Sequence, residues 1–248
     1  EFLGKAGRLG GAAFLSSIAG GALAGEWEQG MEEFWTDGTF RQTTVDASME
    51  AEGVVRALID GSWRSFDTLP LPEEFMDWNL AARLEVLENL SLMFSGEGGS
   101  PPSLAGPHNA AMATWGASRA DSTLEINNAF KGIGLCPSRD LIKDLLEEME
   151  STMSAGMGRK MQFLTELYSD RSNFDPAKLI SLELYSTPEF ETHTFLNLME
   201  RPTTSLVFLD DKSFEVRGIG QLVDPADTGA GQYALDIVKY TNMAHTYF

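Results

Sequence analysis

The side chains that most often carry metal chemistry are sparse in this sequence. Its three histidines, His108, His193 and His245, are far apart, and none lies in an H-x-x-x-H, H-E-x-x-H or H-x-E pattern. This spacing disfavours a zinc site built from protein ligands alone. In a pigment-rich membrane assembly, a single His can ligate the magnesium of a tetrapyrrole. We therefore keep the three histidines as candidate pigment ligands, the alternative being ordinary surface or capping residues.

A single cysteine limits thiol chemistry. Cys136 lies in the stretch GLCPSRD, directly before a predicted helix. A thiol at a helix N-terminus can act as a nucleophile, because the helix dipole stabilises the thiolate. Free cysteines are also among the most frequently buried residues, and we interpret Cys136 as a small buried hydrophobe. With one cysteine the chain forms no intramolecular disulfide and no cysteine-rich metal site.

Acidic side chains occur in adjacent pairs that do not suit acid–base catalysis. Such catalysis needs carboxyl groups that face each other across a cleft, whereas neighbours along the chain are typical of solvated helix ends and turns. The sequence also contains no G-x-S-x-G, P-loop or G-x-G-x-x-G motif. We therefore assign no catalytic residue and no metal site, and we expect a protein that is not an enzyme. The acidic pairs are Glu73/Glu74, Glu147/Glu148 and Asp210/Asp211.

The charge balance excludes some partners. Eighteen Lys and Arg residues stand against 37 Asp and Glu residues, which gives a formal net charge of −19. A phosphate backbone or an anionic lipid surface would be repelled, because both need clustered cations. Nucleic acid is therefore excluded as an expected partner.

The most unusual stretch is LGGAAFLSSIAGGALAG at residues 9–25, which contains no charged residue. Small side chains recur there every fourth position in two adjacent rows, and a helix would place both rows on one face. Such a face lets another helix approach closely, as in small-xxx-small packing within membranes. We predict a helix embedded in a membrane or in a partner protein. Its predicted interface consists of Ala13, Ser16, Ser17, Gly20, Gly21, Gly25 and Trp27.

Two other interpretations of residues 9–25 remain open. Lys5 and Arg8 precede the apolar core, and an Ala-Leu-Ala triplet before Gly25 matches the A-x-A cleavage pattern of a secretory or thylakoid-transfer signal. Alternatively, the segment packs within the protein's own core. If it spans a membrane, the two cations favour the cytoplasmic, stromal or matrix side. We expect an organellar membrane location, with the plastid thylakoid as first choice.

The fold class expected for the whole chain is mainly α with a small β component. Residues 1–30 would form the N-terminal helix and residues 31–248 an acidic helical body, which the Gly- and Pro-rich residues 96–102 could subdivide. One long helix is predicted after Pro137, over residues 138–168, where apolar residues keep a 3–4 spacing. The other predicted helical segments are residues 45–59, 72–94, 110–118, 123–130, 175–184, 188–199 and 231–248.

The hydrophobic pattern changes from a helical to a strand-like spacing near the C-terminus, where we predict one β-hairpin. Residues 204–209 and 214–223 are rich in β-formers, and residues 210–213 form a connecting loop of suitable length. The stretch SLVFLDDKSFEVRGIGQLVDP resembles a β-hairpin of the flavin-binding split-barrel families, in which a strand Arg approaches a phosphate. The resemblance covers about twenty residues and implies Arg217 as the residue to test. It implies a soluble cofactor-binding oxidoreductase as an alternative function.

The first function hypothesis is a non-catalytic accessory or linker subunit of a large organellar membrane complex. It rests on the N-terminal segment, on the absence of a catalytic motif and on tryptophans that we expect to be exposed, Trp27, Trp35, Trp63 and Trp115. A photosystem–antenna supercomplex is the first choice and a respiratory complex the second. We expect no intrinsic cofactor, with chlorophyll or carotenoid at subunit interfaces. The expected partners are other subunits, pigments and lipids.

Overall fold

The computed structural model of the protein describes residues 34–100, 103, 105–117, 124–183 and 186–247. The helix predicted for residues 9–25 lies outside the described residues and stays a prediction. The same holds for every residue of its predicted interface: Ala13, Ser16, Ser17, Gly20, Gly21, Gly25 and Trp27.

Two small antiparallel sheets open the described chain. Strands β1 (Trp35–Thr36) and β2 (Thr39–Phe40) form a two-stranded ribbon, and β3 (Val45–Asp46), β4 (Val54–Ile59) and β5 (Ser62–Asp67) form a three-stranded sheet. Asp-Gly pairs close both tight turns, with φ values of 52° and 76° at Asp37-Gly38 and 51° and 73° at Asp60-Gly61. Positive φ at both central residues is the geometry of a type I′ turn, whose twist matches the flanking strands.

The main sheet has five strands, all antiparallel. It contains β6 (Asn109–Trp115), β7 (Ile126–Pro137), β8 (Phe174–Ser181), β9 (Thr203–Phe208) and β10 (Phe214–Ile219), in the order β10-β9-β6-β7-β8. The hairpin predicted from the C-terminal sequence is confirmed as β9 and β10, with Phe214 paired to Phe208 across the loop.

Five α-helices accompany these sheets in the described residues. They are α1 (Glu73–Ser95), α2 (Ile142–Thr152), α3 (Met157–Tyr168), α4 (His193–Glu200) and α5 (Gln232–His245). Short 3-10 helices occupy Glu50–Glu52, Arg171–Asn173 and Thr228–Ala230. The prediction for residues 72–94 is confirmed by α1, and that for residues 231–248 by α5.

The expectation of a mainly helical body is wrong, since the described fold is a mixture of helix and sheet. Residues 45–59 form β3, a 3-10 turn and β4, because the Asp60-Gly61 turn folds β4 against β5. Residues 175–184 contribute to β8, an edge strand in which Pro176 removes a ladder donor without disrupting the sheet. Residues 110–118 and 123–130 contribute to β6 and β7.

Two further helix predictions need smaller corrections. The single long helix over residues 138–168 is split into α2 and α3, and Gly156 in extended backbone is the N-cap of α3. The helix predicted at residues 188–199 begins only at His193, where the Thr192 hydroxyl accepts a hydrogen bond from the Phe195 N–H. Both breaks are capping events that periodicity alone does not show.

Alternation along the strands gives the main sheet two different faces. We call one the inner face; it carries Met112 on β6, Leu206 on β9 and Val216 on β10, which are register neighbours. Helix α1 covers one end of this face, where the Phe75 ring meets the rings of Phe208 and Phe214 at 5.2 and 5.5 Å between centroids. The opposite, outer face carries the alternate residues.

Helix α4 is fixed to the far end of β6. The fully buried Asn197 accepts a hydrogen bond from the Ala117 N–H at 2.8 Å and donates one to the Thr114 hydroxyl at 3.1 Å. A second apolar cluster lies beside it, in which the Trp35 ring stacks on Phe195 at 5.3 Å. These contacts tie the N-terminal ribbon to α4. Within the described ranges, no helix combines the length and hydropathy needed to cross a bilayer.

Candidate functional site

A cleft of about 1570 Å³ lies on the inner face of the main sheet. Its floor is the inner face, and its walls come from the three-stranded sheet, α4 and α5. The lining also includes Trp115, Ile126 and Arg217, whose register places them on the outer face. The floor contributes Met112, Leu206 and Val216, and α5 contributes Ile237 and Val238. Most of the lining is therefore apolar, as is typical of ligand-binding clefts.

One ion pair lies within this apolar lining. The Lys131 ammonium lies 2.6 Å from a Glu183 carboxylate oxygen, and the two side chains are only 12% and 16% exposed. Strand alternation sets this pair in place, because Lys131 is register partner of the buried Ala110 and so points to the inner face. Both charges are largely removed from water, and each compensates the other.

A second charged cluster surrounds Tyr233 at the start of α5. Arg139 and Lys178 both lie over its ring, at 4.1 and 4.4 Å from the centroid. Glu50 contacts both cations, and Asp175 lies 3.4 Å from the Lys178 ammonium. Two cations and two carboxylates therefore compensate one another around one aromatic ring.

Cys136 lies beneath this cluster and is fully buried. Its thiol lies 3.6 Å from the Tyr233 hydroxyl, which donates to the Pro137 carbonyl at 2.8 Å. Burial raises the pKa of the Cys136 thiol to about 12, and it also raises the pKa of Tyr233. The thiol is therefore protonated near neutral pH, and the geometry favours the interpretation of Cys136 as a buried hydrophobe over that of a nucleophile.

The outer face of the main sheet is apolar and exposed. Ile126 is 70% exposed, Phe130 65%, Leu209 51% and Trp115 43%. Register places Trp115 opposite Ile126, and Ala111 between Phe130 and Val207. On the three central strands this face carries only uncharged side chains: Thr203, Ser205, Val207, Asn109, Ala111, Ala113, Trp115, Ile126, Asn128, Phe130, Gly132 and Gly134.

His108 is held in a buried polar network. Its Nδ1 accepts a hydrogen bond from Arg83 at 3.0 Å, so the ring proton sits on Nε2. Burial, reinforced by the Arg83 charge, lowers the pKa of His108 to about 3. As the ring is held here, neither nitrogen offers a lone pair to a metal.

The other two histidines lie elsewhere. The His193 Nε2 is 3.1 Å from the Ala117 carbonyl oxygen at the far end of β6, nine residues or roughly 30 Å of extended chain from His108. His245 is exposed in the last turn of α5. The structure therefore does not bring His108 and His193 together. Pigment ligation by any of the three stays a prediction.

Arg217, implied by the split-barrel resemblance, lies on β10 and is 79% exposed. Its guanidinium makes two hydrogen bonds of 2.9 Å to Glu215, and this contact lowers the pKa of Glu215. Register with Ser205 places Arg217 on the outer face. Its cation is therefore already paired with a carboxylate.

Comparison with known proteins gives no relative. No protein-family model, no curated protein and no solved structure matches the chain. In the part of the chain that the structure describes, no group of three or more His, Cys, Asp or Glu side chains could hold a metal ion. The function must therefore be inferred from the surface and the cleft themselves.

Sequence reasoning found neither the cleft nor the outer face. Of the tryptophans expected to be exposed, Trp63 is 44% exposed and Trp115 43%, whereas Trp35 is half-buried. The alternating pattern of Ile126, Asn128 and Phe130 against Asn127 and Ala129 was the signal available in the sequence. It is typical of a strand with two different faces.

Proposed function

We propose that this protein is a non-catalytic accessory subunit that attaches to a partner protein through the outer face of its main sheet. The observation that carries the proposal is the exposure of Ile126 and Phe130, at 70% and 65%, on the same face of β7 with Asn128 between them. Ile126 lies beside Trp115 and Phe130 beside Ala111 on the neighbouring strand. Exposed apolar surface of this kind marks interaction sites on folded domains. Aromatic residues such as Trp115 and Phe130 are also enriched in the cores of protein interfaces.

The charge distribution favours a foreign protein over a second copy of this chain. Each copy carries a formal net charge of −19, so two copies would repel each other during association. The central strands of the outer face carry no charge of their own, which lowers the desolvation cost of covering them. The proposed partner therefore has an apolar centre on its contact surface. It is also a protein with a less negative net charge than this one.

We further propose that the partner belongs to a large organellar membrane complex, with a photosystem–antenna supercomplex first and a respiratory complex second. The support is the uncharged stretch of residues 9–25 with its small residues at four-residue intervals. On this proposal the N-terminal segment and the outer face provide two attachment points. Two contacts linked through one chain raise the overall avidity, although the affinity of each single contact is unchanged.

The proposal is tested by charging the outer face in the full chain. The double variant Ile126→Asp/Phe130→Asp places two carboxylates at exposed positions, so folding should persist. The matched control is Phe94→Asp near the end of α1, where Phe94 is 58% exposed on a different element. Each protein carries an affinity tag and is expressed in the native host.

We expect wild type and Phe94→Asp to migrate with a membrane complex on native gels and the double variant to migrate alone. Circular dichroism should show the same fold for all three. Co-migration of the double variant at wild-type levels would overturn the outer face as the attachment surface. If carbonate releases the wild-type protein from membranes as a monodisperse monomer, the accessory-subunit proposal itself is overturned.

A further inference from the structure

The floor of the cleft is the inner face of the sheet, opposite the proposed partner surface, and the cleft suits a different ligand. We propose that it binds an uncharged, elongated apolar small molecule, of the chemical class of isoprenoids and long-chain alcohols. The inference is argued from the floor, β8 and α5, whereas the proposed function rests on Ile126 and Phe130 of the outer face. Trp115 and Ile126 also border the cleft, so the variants that test the inference are placed elsewhere.

The size of the cleft argues for an elongated ligand. Pockets for ordinary metabolites and drug-sized molecules occupy about 300 to 1,000 Å³, whereas this cleft has about 1570 Å³. Its lining includes Phe66 on β5, Leu69 after it, Met112 on the floor and Val238 on α5. A small polar metabolite would leave most of this surface uncovered.

The walls argue for an apolar ligand. Side chains from four different elements converge on the cleft: Val55 from β4, Leu179 from β8, Val216 from β10 and Ile237 from α5. Each of the four is half-buried in the described structure, so each retains area that a ligand can cover. Covering such area is favourable in proportion to the apolar surface removed from water.

The charges argue for an uncharged ligand. Four cations line the cleft, with Arg217 reaching it from the outer face, and each already contacts a carboxylate: Lys131 with Glu183, Arg139 and Lys178 with Glu50, and Arg217 with Glu215. An anionic headgroup would have to compete with one of these carboxylates for its cation. At Lys131 this would disturb a 2.6 Å contact between two largely buried charges, which is unfavourable. A hydroxyl or a hydrocarbon end avoids that competition.

The test compares two probes that share one polyene chain. Retinol is uncharged and fluoresces more strongly in an apolar site, and retinoic acid carries a carboxylate. The purified full chain is titrated with retinol, and retinoic acid is then tested as a competitor. We expect saturable binding of retinol at one site per chain and at least tenfold weaker binding of retinoic acid.

Variants locate the site. Val238→Phe adds bulk inside the cleft, and Leu69→Asp places a charge at its mouth, where Leu69 is 75% exposed. Ala244→Phe, also on α5 but outside the cleft, is the matched control. We expect the first two to weaken retinol binding at least fivefold and the control to leave it unchanged, with the same circular dichroism throughout.

Three results would each overturn the inference. If the wild-type protein shows no saturable retinol binding, the cleft does not bind this class of ligand. If retinoic acid binds as tightly as retinol, the paired cations do not disfavour a carboxylate, and the argument for an uncharged ligand fails. Retinol affinity unchanged in both Val238→Phe and Leu69→Asp places the bound retinol elsewhere.

Discussion

The Arg83 guanidinium donates a hydrogen bond to Nδ1 of His108 at 3.0 Å, and this contact joins helix α1 to the start of strand β6. Arg83 is only 2% exposed. It also donates to the Pro107 and Ile133 carbonyls at 2.7 and 2.8 Å and to Asn79 at 2.7 Å. One buried cation thus fixes the helix to two strands of the sheet that carries both proposed binding surfaces.

Replacement of Arg83 should severely destabilise the fold. Arg83→Met leaves two buried carbonyls and the Asn79 side chain without their donor, so we expect a loss of about 3 kcal/mol or more in the free energy of unfolding. Urea denaturation followed by circular dichroism measures it. Arg56→Met, which removes an exposed pairing with Asp46, is the control and should cause little change. Equal effects of the two substitutions would show that Arg83 has no special role.

The stability of the protein should depend on pH through His108. Its folded-state pKa is about 3, against 6.5 for the unperturbed group. Below pH 6.5 the unfolded chain therefore binds a proton that the folded chain does not, so stability is complete above pH 6.5 and falls as pH drops toward 3. For one proton the slope approaches about 1.4 kcal/mol per pH unit.

The variant His108→Asn isolates this contribution. The Asn side-chain oxygen can still accept a hydrogen bond from Arg83, and the Asn side chain has no titratable group. We expect a smaller loss of unfolding free energy than in wild type between pH 6.5 and 3. His245→Asn, at an exposed position, should retain the wild-type slope. A wild-type slope in His108→Asn would contradict the assignment.

Cys136 should resist thiol reagents in the native protein. The side chain is fully buried, and burial raises its pKa to about 12, so neither access nor thiolate is available near neutral pH. The rate of reaction with an aromatic disulfide reagent at pH 8 should rise at least 100-fold in denaturing urea. Complete labelling of native protein within minutes would show that the site around Tyr233 opens readily.

The Lys131–Glu183 pair should show strong coupling. Lys131→Met leaves a largely buried carboxylate, so we expect a loss of about 3 kcal/mol, whereas the double variant Lys131→Met/Glu183→Gln should lie closer to wild type. A double-mutant cycle by urea denaturation measures the coupling energy. The exposed pair Lys239–Glu150 is the comparison and should give less than about 1 kcal/mol. Similar coupling energies for both pairs would show that Lys131 is effectively solvated.

The sequence predicted those elements whose local signals agree with their tertiary role. Helix α1 follows Pro72 and ends at Gly96, and the β9–β10 hairpin has β-rich runs on both sides of its loop. Each of these segments contains its own start and stop signals. Their prediction did not depend on distant partners.

The errors arose where a spacing compatible with a helix was overridden by turns and strand pairing. The Asp37-Gly38 and Asp60-Gly61 pairs are strong local hairpin signals, and the second explains why residues 45–59 do not form a helix. Strand β6, by contrast, carries Ala110, Ala111, Met112 and Ala113, which favour a helix in isolation. Its pairing with β7 and β9 decides the outcome, and no local signal reveals that pairing.

The candidate surfaces could not be predicted for the same reason. The cleft joins Val55, Leu179 and Ile237, which are more than 50 residues apart from one another in sequence. The outer face depends on β9, β6 and β7 lying side by side in an order that differs from their order in the chain. Only the topology brings these residues together.

The most direct test of the central claim is photocrosslinking from the outer face in the native host. A benzophenone side chain replaces Phe130 in one protein and, as the matched control, Phe94 in another. We expect position 130 to yield a crosslink to an identified subunit of one membrane complex and position 94 to yield none. Crosslinks from position 130 only to a second copy of this chain, or none at all, would contradict the proposal that the outer face holds a foreign subunit.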